Sequence, residues 1–136
     1  MNNDLLIRFL WTVGIILAGL AAYHLVTRAV LSKARSANRR APVSRSHTPA
    51  ILYFTTPDCI PCKTIQRPAL EQVKTTYGHR LDVVEVNAYE KPDLARQWGV
   101  LSVPTTFVLD ASGNPVHVNH GATPASRLLK QMEDVI

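Results

Sequence analysis

The chain begins with a long apolar stretch. Residues 9–26 contain no Lys, Arg, Asp or Glu, and the flanking positions extend the stretch to residues 5–27. This length reaches the roughly 20 residues that an α-helix needs to cross a hydrocarbon core about 30 Å thick. Trp11 and Tyr23 lie near the two ends, where amphipathic rings favour the membrane interface. The pattern predicts a transmembrane anchor over residues 1–27, with residues 5–27 in contact with lipid.

Two other interpretations of this stretch are a cleaved signal peptide and a buried core helix. A signal peptide has a basic segment, a shorter apolar stretch and a small-residue cleavage site, which Gly19-Leu20-Ala21 resembles. Only Arg8 precedes the stretch, however, and the basic residues after it would resist export. A core helix would carry a polar stripe, and this stretch has none. The pattern favours a retained anchor.

Residues 28–49 have a different composition. They are basic, poor in large apolar residues and closed by prolines. Such a segment cannot bury enough surface to offset the entropy lost on ordering. We therefore predict a flexible basic linker over residues 28–49.

From residue 50 onwards, short apolar runs alternate with amphipathic ones, which is typical of one α/β domain over residues 50–136. A strand, a crossover helix and a second strand imply a parallel pair, and a final hairpin adds antiparallel strands. The predicted elements are strand 50–55, a helix from Ile60 or Pro61 to Tyr77, strand 81–87, a short helix near 92–98, strands 105–110 and 116–120, and helix 124–136.

The charge of the chain argues against a nucleic-acid partner. The formal net charge is +5, but residues 1–47 carry seven basic side chains and one acidic one, whereas residues 48–136 carry eight and nine. Proteins that grip nucleic acid usually show a basic face on the folded domain itself. The excess here belongs to the leading segment, so no nucleic-acid partner is expected.

The chain has two cysteines, Cys59 and Cys62, which cannot form a disulfide scaffold. They lie where the first strand of the domain ends and its long helix begins. Unpaired N–H groups at a helix start stabilise a thiolate, so Cys59 is the predicted nucleophile. Cys62, one turn later, can resolve a mixed disulfide at Cys59, and Pro61 stiffens the loop. Since no nucleotide or flavin motif is present, the predicted redox group is the Cys59–Cys62 disulfide, with no other cofactor.

A paired cysteine motif also occurs in zinc and iron–sulfur sites. A closed zinc site needs four ligands, and the chain has no second cysteine pair. His117 and His120 lie far along the sequence in a predicted hairpin. We therefore expect no metal site.

Residues 50–136 resemble the thioredoxin family. The resemblance rests on C-x-P-C-K at residues 59–63, Pro68 in the helix, the run WGVLSVPT at residues 98–105, and Gly113 and Gly121. It implies a cis proline at Pro104 beside the cysteine pair, and substrate pairing by the backbone of Val103. It also implies protein disulfide substrates and a partner dithiol that returns the electrons.

The implied fold is thioredoxin-like α/β, preceded by one transmembrane helix. The family's leading strand and helix are missing from the sequence pattern. What remains is a short, glutaredoxin-like core of about four mixed strands flanked by about three helices. The likeness to glutaredoxin implies glutathione binding as an alternative role.

Four positions depart from the family pattern and are candidates for tuning the site. Asp58 replaces a tryptophan, and its carboxylate would oppose thiolate formation at Cys59. Ile60 replaces a glycine between the cysteines, and Tyr53 stands where many thioredoxins have a buried acid. Glu85 stands where a lysine often occurs, and is either a proton-transfer group for Cys62 or a solvent-facing side chain.

These features predict a monomeric thiol–disulfide oxidoreductase that reduces protein disulfides at a membrane. Two alternatives are a redox-inert adaptor for a membrane partner and a carrier of Cu(I) on its thiolates. Retention of both cysteines and Pro104 favours the enzyme.

The basic residues around the apolar stretch predict its orientation. Six follow it within about 20 residues and one, Arg8, precedes it, and positive charge is retained on the cytoplasmic side. We therefore predict a single-pass membrane protein with a cytoplasmic redox domain. Anchored bacterial proteins that resemble thioredoxin often lie outside the cytoplasm, so an extracytoplasmic domain is the alternative. The six basic residues that follow the apolar stretch are Arg28, Lys33, Arg35, Arg39, Arg40 and Arg45.

Overall fold

The structure is a computed structural model that describes residues 3–40 and 47–136. A helix, α1, precedes an alternating series of strands and helices. The elements are α1 (Asn3–Arg40), β1 (Ala50–Thr55), a π-helical turn (Cys62–Gln66) continuing into α2 (Arg67–Tyr77), a 3₁₀ turn (Gly78–Arg80), β2 (Asp82–Asn87), α3 (Pro92–Gln97), β3 (Thr105–Leu109), β4 (Pro115–His120) and α4 (Ala125–Glu133).

The four strands form one mixed sheet in the order β2-β1-β3-β4. Strand β1 is parallel to β2 and antiparallel to β3, and β4 is antiparallel to β3. Every residue of β1 is buried, because the central strand is covered on both faces by helices. The parallel pair at the front, the closing hairpin and the thioredoxin-like α/β class are confirmed.

The sheet separates two apolar clusters. On one face Phe54 and Phe107 pack with Trp98, whose ring centroid lies 5.1 Å from that of Phe107. On the other face Ile51 and Tyr53 pack against α2 and α4. The cysteine pair belongs to this second cluster, so it is attached to a packed core.

Helix α1 continues far beyond the predicted anchor, to Arg40. Val30, Ala34 and Ala37 are buried in the Trp98 cluster, and the side-chain amide of Asn38 donates a hydrogen bond to the carbonyl of Gly113. The flexible linker predicted over residues 28–49 is therefore wrong over residues 28–40; residues 41–46 lie outside the described part.

The physical reason for this error is the spacing of small side chains. Val30, Ala34 and Ala37 lie three and four positions apart, so they form one stripe along a helix, and the basic residues between them point elsewhere. Alanine buries little surface, but its small side chain allows the helix to approach the sheet closely. The leading helix that the sequence pattern lacked is thus supplied by the end of α1.

The first part of α1 is long and apolar enough to cross a membrane. None of its most apolar 18-residue window is buried against the rest of the described protein. These properties fit a membrane span, and they fit a signal sequence as well.

Candidate active site

The cysteine pair lies at the end of β1, where the chain leaves the sheet and enters a helix. Strand β1 ends at Thr55, and the backbone N–H of Cys59 donates a hydrogen bond to the carbonyl of Thr56 at 3.2 Å. Helical structure begins at Ile60. Cys59 and Cys62 are joined by a disulfide, with their Cα atoms 5.3 Å apart.

The two cysteines differ in exposure and in hydrogen bonding. Cys59 is 8% exposed, whereas Cys62 is completely buried. The backbone N–H of Cys62 lies 3.2 Å from the sulfur of Cys59 and donates to it. In the reduced protein this N–H stabilises a thiolate at Cys59, as expected at a helix start. Both observations support the predicted roles of Cys59 as nucleophile and Cys62 as resolving thiol.

The helix behind the pair has an unusual first turn. The N–H of Arg67 reaches the carbonyl of Cys62, five residues back, which defines a π-helical turn. Pro68 follows within α2 and has no N–H to continue the ordinary pattern. Pro61 has φ of −64°, which suits the start of a helix. Widened turns of this kind are frequent at functional sites.

A buried amide holds this turn against the rest of the domain. Gln66 is fully buried, and its side-chain oxygen accepts a hydrogen bond from the N–H of Thr123 at 2.9 Å. Its side-chain nitrogen donates to the carbonyl of Thr123 at 3.4 Å. The helix that carries Cys62 is therefore tied to the segment before α4.

The peptide bond between Val103 and Pro104 is cis, as the family resemblance implies. Val103 lines a shallow groove together with Cys59, Ile60 and Pro61. The carbonyl of Pro104 accepts a hydrogen bond from Gly121, so the backbone of Pro104 is held by the start of the next segment. The substrate-binding roles of Val103 and Pro104 stay predictions.

Asp58 and Tyr89 form the polar side of the same groove. The Tyr89 hydroxyl donates to a carboxylate oxygen of Asp58 at 3.2 Å. The pKa of Asp58 is lowered, chiefly by its own backbone N–H and then by the hydroxyls of Thr56 and Tyr89. Hydrogen bonding to this carboxylate and its negative charge in turn raise the pKa of Tyr89. Asp58 is thus held as an anion directly beside Cys59.

Tyr89 was missed by the sequence analysis. It follows β2 by two residues, and the carboxyl ends of the parallel strands β1 and β2 meet at one edge of the sheet. This register brings Tyr89 to Asp58, which follows β1. The available signal was the parallel pairing itself, because the loops after two such strands are neighbours.

Tyr53 and Glu85 occupy one face of the sheet as cross-strand neighbours. Tyr53 is buried, and its hydroxyl donates to the carbonyl of Cys62 at 3.4 Å. Burial, and to a lesser extent the charge of Glu85, raise the pKa of this hydroxyl, so Tyr53 is neutral at pH 7. The half-exposed Glu85 pairs with Arg67 at 2.9 Å. Tyr53 therefore contacts the backbone of Cys62, whereas proton transfer by Glu85 stays a prediction.

Histidine and carboxylate side chains do not gather at the site. Within residues 3–40 and 47–136, no three His, Cys, Asp or Glu side chains are placed to hold one metal ion. His117, which sequence analysis weighed as a ligand, contacts Asp134 at 2.9 Å.

Replacing Asp58 by asparagine should make Cys59 more reactive. Removing the neighbouring negative charge favours the thiolate, so the midpoint of the alkylation rate against pH should move down, by up to about one unit for an exposed charge. The measurement is the iodoacetamide rate of the reduced protein from pH 5 to 9. Glu133→Gln, which removes the same charge at the far end of α4, is the matched control. An unchanged midpoint in Asp58→Asn would contradict the prediction that the Asp58 carboxylate opposes thiolate formation at Cys59.

Several known proteins are similar to this chain in sequence. The family model "Thioredoxin" matches residues 30–134. Thioredoxin 1 of Nostoc sp. is 32% identical over 88 residues, covering 65% of this chain and 80% of its own length. The thioredoxin of Mycobacterium tuberculosis is 32% identical over 104 residues, covering 76% of this chain and 88% of its own.

Among solved structures, that of chloroplastic thioredoxin z superposes with a TM-score of 0.61 at 28% identity, covering 71% of this chain and 85% of that one. The residues that the family model matches include the end of α1, both cysteines and Pro104. The chain belongs to the thioredoxin family, and its Cys59–Cys62 pair makes it a thiol–disulfide oxidoreductase.

Proposed function

We propose that this protein reduces disulfides of protein substrates at a membrane surface and is returned to the dithiol form by a partner dithiol. One observation carries the proposal. The helix that completes the core of the redox domain is continuous with the apolar segment at residues 5–27, whose most apolar 18-residue window is not buried against the described protein. A redox domain on such a helix stays at the membrane.

The reaction is an exchange of two electrons between two sulfur pairs. The Cys59 thiolate attacks a substrate disulfide, forming a mixed disulfide and releasing one substrate thiolate. The thiolate of Cys62 then attacks the Cys59 sulfur, which forms the Cys59–Cys62 disulfide and releases the second substrate thiolate. The two protons of the original dithiol end on the substrate thiols.

The direction of exchange follows from the charge beside Cys59. A strongly oxidising member of this class owes its potential to a stabilised reduced form. Here the Asp58 carboxylate destabilises the Cys59 thiolate and so favours the disulfide form, which makes the pair a better electron donor.

A redox titration of the full chain in detergent tests the direction. The fraction of dithiol is measured in dithiothreitol or glutathione buffers of known poise. We expect a potential near the thioredoxin value of about −270 mV; a value near about −120 mV, typical of an oxidant, would contradict the proposed reduction.

The same proposal places the redox domain in the cytoplasm. Six basic residues follow the apolar segment and one precedes it, and anionic lipid head groups on the cytoplasmic side attract such residues. In that compartment thiols are kept reduced, which suits a reductase.

Sidedness is tested with a membrane-impermeant maleimide on intact cells or spheroplasts, after the pair has been reduced. We expect Cys59 to be labelled only after lysis. Asn3→Cys in a chain with both native cysteines replaced by serine is the control, and it should be labelled without lysis. Labelling of Cys59 in intact cells would place the domain outside.

A further inference from the structure

The contacts of α1 with the domain progress in one direction along the helix. A Cβ atom added at Gly99 would lie 3.6 Å from a methyl carbon of Val30. Five residues later the Arg35 side chain donates to the carbonyl of Pro115, and Asn38 donates to that of Gly113. The helix therefore meets the domain near Gly99 first and near the β3–β4 turn last.

The second of these places is the turn at one end of the sheet, and the contacts of α1 run from it towards the other end. Followed back from Asn38 to Arg35, they move from Gly113 in the turn to Pro115, the first residue of β4. Strand β3 begins at Thr105, directly after Pro104, so its start marks the end of the sheet that holds the cysteine pair; we call this end the active-site pole. The turn at residues 111–114 follows the other end of β3 and marks the distal pole. The eight residue-to-residue steps of helix from Val30 to Asn38 rise about 12 Å, close to the length of a five-residue strand.

The apolar half of α1 consequently leaves the domain at the active-site pole. All residues from Asn3 to Arg40 are helical, with no break between the apolar segment and the packed stripe. From Thr27 to Val30 the helix rises only about 5 Å. A tilt of about 20°, usual for membrane helices, does not bring the distal pole closer to the membrane than the active-site pole.

The surface of this pole suits a membrane interface. Ile60 and Tyr89 line the groove at Cys59 and are 70% and 66% exposed, and Leu101, between Gly99 and Val103, is 77% exposed. Arg28 and Lys33 lie on the adjoining turns of α1. Apolar and aromatic side chains flanked by basic ones are the combination that binds the head-group region.

We infer that α1 holds the active-site pole against the membrane surface, so that Cys59 serves disulfides which membrane proteins carry close to the bilayer. The inference rests on the proposed membrane anchoring and names the substrate class of that same site. Soluble proteins reach the groove only from the side, whereas a juxtamembrane segment of a membrane protein passes directly beneath it.

The distances of the two poles from the bilayer surface can be compared in lipid nanodiscs that contain nitroxide-labelled head groups. One full-length sample carries bimane on Cys59 in the Cys62→Ser chain. The other carries it on Ser112→Cys at the distal pole, with both native cysteines replaced by serine. Because the poles are about 15 Å apart along β3, bimane on Cys59 should lose fluorescence severalfold and bimane at position 112 should lose little. Equal loss, or greater loss at position 112, overturns the inference.

A second variant tests the rigid connection. A Gly-Gly-Ser repeat inserted between Arg28 and Ala29 interrupts α1 without touching a buried residue. We expect it to remove most of the difference between the two labels. A difference that survives the insertion contradicts an orientation set by the helix.

Separate readouts distinguish this inference from the proposed function. Failure of the full chain to float with the nanodiscs refutes the anchor and with it the inference. A chain that floats and reduces soluble insulin, but shows equal quenching at both labels, refutes the inference alone. Greater quenching at Cys59 in a chain that reduces neither soluble nor membrane-bound disulfides supports the orientation and refutes the proposed function.

Discussion

Replacing Cys59 by serine in the full chain is expected to reduce its activity on a model disulfide protein to background, with dithiothreitol as the electron donor. The serine hydroxyl is not a nucleophile at neutral pH, and buried Cys62 cannot reach a substrate in its place. Cys62→Ser should instead accumulate mixed disulfides with substrates, because the thiol that resolves them has been removed. Turnover is followed by insulin precipitation, and trapped adducts by non-reducing electrophoresis.

Ser112→Ala, at the distal pole, is the matched control and should keep full activity. The two cysteine variants also separate the enzyme from a protein that uses the fold only to hold a partner. Equal activity in the parent chain and in both variants would show that the pair is not the redox centre, and would favour the adaptor.

Replacing Ala34 by aspartate is expected to destabilise the domain by about 3 kcal/mol or more, because the substitution places an unpaired charge in a core. Ala34 is completely buried in the cluster that contains Trp98 and Phe107. The measurement is urea unfolding of the full chain in detergent, followed by circular dichroism.

Ser36→Asp is the control for this prediction. It introduces the same residue into the same helix two positions away, on the exposed side, and should change the free energy of unfolding by about 0.5 kcal/mol or less. Equal stability of the two variants would mean that residues 28–40 do not pack on the domain in solution. For the same reason, a soluble fragment that starts at residue 28 should be more stable than one that starts at residue 48.

The fold of residues 50–136 was predictable because each element has its own signal in the sequence. Strand β1 is an uninterrupted apolar run, and the turn-rich residues 111–114 separate two short strands. The active site was predictable for a different reason. Cys59, Cys62 and Pro104 each belong to a motif in which the residue type is required by the chemistry or by the backbone.

The features that escaped prediction depend on contacts between distant segments. The stripe on α1 consists largely of alanine, which scores as weakly apolar, and it lies among arginines that suggest solvent. Tyr89 reaches Asp58 only through the pairing of β1 with β2. A sequence pattern reports the structural preference of one segment. These two features depend instead on how two strands pair and on which face of a helix is packed.

The continuity of α1 also has a consequence for the order of events during synthesis. Two of its hydrogen bonds to the domain join residues 75 and 80 positions apart, so the packing of α1 is not complete until the β3–β4 turn and the start of β4 have been made. At about 5–20 residues per second, the ribosome needs about 4–16 seconds to supply those partners. The apolar segment leaves the ribosome well before that time. With the membrane anchor proposed above, the bilayer therefore receives the helix first, and the domain completes its core around a helix whose position is already fixed.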